Sequence, residues 1–120
     1  MNIHGPAVIP LPIRPEGSID GSIAVSVDNE GFAVPLVPGK NFCGITVERR
    51  TTDDSSRSVP VEFEGLTQLR VEGLGPDSIG EKVYATGPTS FTLSTKGKAS
   101  LIGKVLKREH DGRALVKFSV

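Results

Sequence analysis

Between Gly80 and Lys107 short runs of β-prone residues alternate with turn residues, and this punctuation constrains the fold more than any other feature of the chain. Val83-Tyr84-Ala85 reads as a strand, Thr86-Gly87-Pro88-Thr89 as a turn and Ser90–Ser94 as a second strand. Thr95-Lys96-Gly97-Lys98 then makes a second turn and Ser100–Lys107 a third strand. That order is a meander signature. Fourteen Gly and nine Pro among 120 residues spread the same punctuation along the chain and disfavour long helices. With Trp absent and only five Phe, the core has to come largely from Val, Ile and Leu. A chain of this length forms one domain able to bury a core without staples.

Residues 1–16 hold Pro6, Pro10, Pro12 and Pro15 among Ala7, Val8, Ile9, Leu11 and Ile13. Missing N–H donors and the extended bias of residues before proline exclude a helix or a central strand. An extended arm with a polyproline II bias is expected. Because it is apolar, it should lie on a surface, that of its own subunit or of a neighbour. Ser22–Asp28 alternates Ile23, Val25 and Val27 with small or polar residues, as a half-buried strand does. Asp28-Asn29-Glu30-Gly31 fits a tight hairpin. Phe32–Leu36 follows, with Pro35 marking an edge or a strand end, and Phe42–Arg49 is the next strand.

The polar run Arg49–Ser58 lacks the ligand number and the glycine of a calcium loop and reads as a solvated loop. Val59–Glu64 and Thr67–Glu72 read as strands connected through Gly65 and Leu66. Gly73–Gly80 is a Gly/Pro loop with no following Lys-Ser/Thr, so it is not a phosphate loop. Asp111-Gly112 signals a hairpin, and Ala114–Val120 is the last strand. The expected fold is all-β: a compact barrel or sandwich of about eight short strands over residues 17–120, preceded by the Pro-rich arm.

Sliding the chain against itself by 59 residues brings its turns into register without a gap. Gly21 meets Gly80, Phe32 meets Phe91, Val34 meets Leu93, Phe42 meets Leu101, Gly44 meets Gly103 and Val47 meets Leu106. A glycine inside a strand marks a bulge or a close backbone approach. Two at equivalent places point to repeated structure, with half-repeats over 21–49 and 80–108 and internal pseudo-twofold symmetry.

Net charge is zero, yet residues 1–80 carry six basic and eleven acidic side chains, and residues 81–120 carry eight basic and three acidic ones. Either the halves intermingle, or the surface is dipolar and suited to head-to-tail assembly or to docking on an acidic partner. A single cysteine, Cys43, excludes an intramolecular disulfide and a cysteine metal cluster, and beside Phe42 and Ile45 it reads as a structural thiol. The start of the chain lacks a secretory pattern, and no apolar run approaches the ~20 residues of a membrane span, so synthesis in the cytoplasm and no membrane partner are expected. His4 and His110 sit in no metal or catalytic motif, no serine occupies a nucleophile elbow, and Glu62 and Glu64 fall on the solvated face of a strand. Neither an enzyme nor a cofactor or metal site is expected. Lys96, Lys98, Lys104 and Lys107 have little aromatic interleaving, which argues against nucleic acid as the partner.

Gly21-Ser22-Ile23-Ala24-Val25, Gly31-Phe32-Ala33-Val34, Gly44-Ile45-Thr46-Val47 and Val59-Pro60-Val61-Glu62-Phe63 follow one another, then Gly80-Glu81-Lys82-Val83-Tyr84, Phe91-Thr92-Leu93 and Leu101-Ile102-Gly103-Lys104-Val105. This order over residues 17–120 resembles the small phage capsid cement, or head-decoration, proteins, long grouped as a domain of unknown function and sometimes labelled recombinase-like. Gly80-Glu81-Lys82-Val83-Tyr84 with Ile102-Gly103 carries the likeness best. The longer Pro-rich arm, the charged loop Arg49–Ser58 and a lower alanine content depart from the family pattern, and no ATP-binding loop supports the recombinase label. The resemblance implies a structural virion protein, a homotrimer on the outer surface of a bacteriophage capsid that stabilises the shell by bridging neighbouring major capsid protein subunits. It would be found in the virion, and in the host cytoplasm during assembly. On that reading the capsid or subunit contacts fall to Ile3, Val8, Ile9, Leu11, Ile13 and Arg14 of the arm and to Arg49, Arg50 and Arg57 of the loop. The alternative is a β-barrel module binding nucleic acid or carbohydrate through the basic C-terminal half.

Overall fold

Ten strands and no helix form the described part of the computed structural model, which comprises residues 7–14, 19, 21–47, 58–94 and 97–120. Strands β1 (Val8–Pro12), β2 (Ala24–Val27), β3 (Ala33–Pro35), β4 (Gly44–Thr46) and β5 (Ser58–Glu62) make an open sheet in the order β1-β5-β4-β2-β3. Strands β6 (Glu64–Glu72), β7 (Lys82–Ala85), β8 (Phe91–Thr92), β9 (Ser100–Arg108) and β10 (Arg113–Ser119) close into a barrel that runs β6-β10-β9-β7-β8 and back to β6. The strand order is the same in both, β1 corresponding to β6, β2 to β7, and so on to β5 and β10. All pairings are antiparallel except β6 with β8, the contact that closes the barrel. Two successive five-strand segments thus share one strand order.

Hydrogen bonds refine the 59-residue displacement. The Asp28 N–H donates to the Phe32 carbonyl at 2.9 Å and the Thr86 N–H to the Ser90 carbonyl at 2.8 Å, closing the β2–β3 and β7–β8 hairpins. These bonds are 58 residues apart, so Ala33 rather than Phe32 stands where Phe91 stands. Gly44 and Gly103 keep the 59-residue spacing because one more residue lies between Leu93 and Gly103 than between their counterparts Pro35 and Gly44, and the register shift where β9 pairs with β7 takes it up. Both glycines permit a close backbone approach. A methyl group on Gly44 (φ 140°) would strike the Val61 side chain and stand 2.6 Å from the Glu62 carbonyl oxygen. One on Gly103 would strike the Lys117 carbonyl oxygen and stand 2.8 Å from the Phe118 Cα.

The passage between the two sheets differs from the connection expected at Gly65 and Leu66. Both of those residues lie inside β6, and only Phe63 separates β5 from β6. Phe63 belongs to both layers: its N–H donates to the Ala7 carbonyl at 2.9 Å, and its carbonyl accepts the Val120 N–H at 3.0 Å. The strand expected over Val59–Glu64 thus runs on through the junction. No turn residue is needed because the chain stays extended while it changes partners.

The larger core cluster fills the barrel and the face of the open sheet turned to it. Val71, Val83, Ile102, Val105, Val116 and Phe118 come from the barrel, and Ala24, Leu36, Phe42 and Ile45 from the open-sheet half. Phe42 meets Phe118 edge to face at 6.1 Å, so one aromatic pair joins the two. The Ala24 N–H also donates to the Pro88 carbonyl at 2.9 Å, and the Ser100 hydroxyl to the Lys40 carbonyl. A smaller cluster on the far face of the open sheet holds Ile23, Val25 and Val61, with Leu11, Ile19, Cys43 and Val59 packed against it.

Candidate functional site

The arm has a strand of its own. Residues Val8–Pro12 lie antiparallel on β5, with Pro10 opposite Pro60. The bond from the Phe63 N–H to the Ala7 carbonyl sets the phase, so the odd residues of β1 bond inward and Val8, Pro10 and Pro12 face the free edge. Two of those three positions have no N–H to offer. Leu11 packs into the smaller core cluster, Val8 and Ile13 are half-buried, and Ile9 is exposed. Of the remaining expected contact residues, Ile3, Arg49, Arg50 and Arg57 lie outside the described residues.

Arg14 is engaged by its own chain. Its Nη2 lies 2.8 Å from Asp28 Oδ2 and 2.7 Å from Glu30 Oε1, and its guanidinium stands 5.0 Å from the centre of the Phe32 ring. Asp28 is the organising group of that hairpin, with Oδ1 accepting the N–H groups of Glu30 at 2.9 Å and Phe32 at 3.0 Å. The Phe32 N–H first, then the Glu30 N–H and Arg14, hold the Asp28 carboxyl below its ordinary value against an opposing pull from desolvation. Arg14 thereby pins the arm to the β2–β3 hairpin.

A second surface lies on the outside of the barrel. Lys82 of β7 is directly opposite Lys104 of β9, Lys104 is opposite Lys117 of β10, and Lys117 is opposite Leu66 of β6. Directly opposed residues point to the same face, so three ammonium groups form one row across three strands. All three lysines are exposed, and none has an ion pair among the described residues. Leu101, Leu106 and Val120 flank the row, and with the lysines they line an open groove of about 450 Å³. These three and Leu66 are half of the eight large hydrophobic side chains exposed among the described residues, so the barrel concentrates its exposed apolar surface here.

The sequence contains these lysines and leucines but not their alignment, which depends on a register shift between β7 and β9 at Val83/Tyr84. The alternation Leu101, Lys104, Leu106 around in-strand Gly103 is the one local signal that could have suggested an unusual outer face.

Other candidates for chemistry are isolated. His110 is exposed in the β9–β10 turn, where Asp111 and Gly112 both have positive φ. Cys43 is half-buried, with burial pushing its thiol pKa up and away from reactivity. Among the described residues no three His, Cys, Asp or Glu side chains cluster as metal ligands, and no helix is long and apolar enough to cross a membrane. Comparison with protein-family models, curated proteins and solved structures finds no match to this chain.

Proposed function

We propose that this chain is a structural virion protein that binds the outer surface of a phage capsid as a trimer and bridges neighbouring shell subunits. One observation carries the reading. The two pieces on which the likeness to cement proteins rests, Gly80-Glu81-Lys82-Val83-Tyr84 and Ile102-Gly103, are far apart in sequence but lie side by side, with Val83 paired to Gly103. The Gly80 N–H also donates to the Val105 carbonyl at 2.8 Å, and the Val105 N–H to the Glu81 carbonyl at 3.0 Å, which fixes the start of β7 on β9. The resemblance thus concerns a single packed feature of the barrel rather than scattered short strings. A closed barrel with an exposed cationic and aliphatic face suits a protein that works through contact area. Trimerisation multiplies a weak single contact because linked sites share one effective concentration.

The test is sedimentation of the full chain with empty shells of the phage that encodes it. Saturable co-pelleting, and shells that resist heat better when loaded, are expected. A chain that stays in the supernatant at every concentration overturns the reading.

A further inference from the structure

We infer that the outer face of β7, β9, β10 and β6 is a docking site for an acidic, aliphatic segment of a partner protein, its carboxylates on the Lys82–Lys104–Lys117 row and its apolar side chains against Leu101, Leu106 and Val120. The inference deepens the decoration reading, and rests on it for the partner being a protein. Like charges directly opposite one another on a sheet destabilise it. Here the unfavourable arrangement occurs twice in succession, and no carboxylate among the described residues forms an ion pair with any of the three lysines. The nearest acid on the same face, Glu64, lies opposite Ser119, one step along β6 and β10 from the Leu66–Lys117 pair. An occupant that brings negative charge removes the repulsion, and one that also brings aliphatic groups covers the exposed leucines.

Three alternatives fit less well. A small anion would use the lysines and leave the leucines bare. Nucleic acid would satisfy the lysines, but no aromatic ring lines the groove on which a base could stack; Tyr84, opposite Leu101, is half-buried outside it. A second copy docked face to face through a twofold axis would set one lysine row against another. The groove also spans three strands, which fits a polypeptide segment better than a compact ligand.

The test is an NMR titration of the isotope-labelled full chain with the peptide acetyl-Leu-Glu-Leu-Glu-Leu-Glu-Leu-amide, compared with hexaglutamate and a thymidine 20-mer. The peptide should shift the amides of Lys82, Leu101, Lys104, Leu106, Lys117 and Val120, with hexaglutamate at least 3-fold weaker. A K82Q/K104Q/K117Q variant should bind at least 10-fold more weakly, and L101S/L106S at least 3-fold more weakly, both with otherwise unchanged spectra. No binding, shifts on another face, or affinity indifferent to both variants overturns the proposal. Tighter binding of the oligonucleotide on this face reassigns it to nucleic acid, and concentration-dependent self-association lost in L101S/L106S reassigns it to a second copy. Shell pelleting of the unaltered chain reports separately on the decoration reading, so a failed titration with intact pelleting removes this face and leaves that reading standing.

Discussion

Pro35 occupies, in the open sheet, the hydrogen-bonding position that Leu93 occupies in the barrel. Each stands three residues beyond the carbonyl that closes its hairpin, Phe32 in one and Ser90 in the other. The Leu93 N–H donates to the Glu72 carbonyl at 3.2 Å, part of the parallel contact that closes the barrel, whereas Pro35 has no N–H to give. Arg14 precedes Glu72 by the same 58 residues that separate Pro35 from Leu93. Where the barrel is closed by backbone, the open sheet spans the corresponding gap with the Arg14 side chain, bound to Asp28 and Glu30. Two five-strand units with one strand order thus end in different closures, and a proline marks the difference.

The substitution Leu93→Pro should therefore destabilise the fold by about 2 kcal/mol through the lost closing bond and its unpaired acceptor. Pro35→Ala should change stability by less than about 1 kcal/mol, since no bond is lost and only chain entropy changes. Urea unfolding of both variants checks this, and equal effects would show that the two positions are not counterparts. At the other edge, Pro10→Val with Pro12→Val restores two outward N–H groups to β1 and should promote self-association visible by light scattering.

The paired glycines make a sharper stability prediction. Gly103→Ala pushes a methyl group into the Lys117 carbonyl and the Phe118 backbone, which cannot move without opening the barrel, so a loss of about 3 kcal/mol is expected. Gly44→Ala adds a positive φ to its clash and should lose a similar amount. Gly87→Ala is the control: its nearest neighbour is the Ser90 side chain at 3.8 Å, and a change within about 1 kcal/mol is expected. Thermal unfolding of the three variants separates the cases, and a neutral Gly103→Ala would contradict the packing described.

Acid should release the arm. The carboxyl of Asp28 is held below its ordinary value near 3.8, so its stabilising effect is fully present above that pH. It is lost as pH falls through the lower value of the folded state. An NMR titration should find the Asp28 carboxyl titrating below 3.8, with the Arg14 and Phe32 signals moving in step and the barrel residues Val83 and Val116 unchanged. Asp28→Asn should abolish the coupled shift. A midpoint above 3.8 would contradict the hydrogen bonding described.

Much of the scaffold was legible because turn chemistry is local. The Asp28–Gly31 and Asp111-Gly112 turns, the in-strand glycines at 44 and 103, and Pro35 as an edge residue follow from the conformations those residue types favour. What the sequence did not disclose depends on pairing between distant segments. The chain passes through Phe63 without a turn because Ala7 and Val120, at opposite ends of the chain, take its two hydrogen bonds. Arg14 turns to its own hairpin because the β2–β3 loop brings Asp28 and Glu30 beneath it. The lysine row exists only through the registers of β7, β9 and β10. Strand identity is written in neighbouring residues, but the face a residue shares with its partners is written in register.

The most direct test is an electron cryomicroscopy map of shells saturated with the full chain. The decoration reading predicts added density on the outer surface at joints between shell subunits, with the Lys82–Lys104–Lys117 face of the barrel turned to the shell. Shells without added density at saturating protein would contradict it.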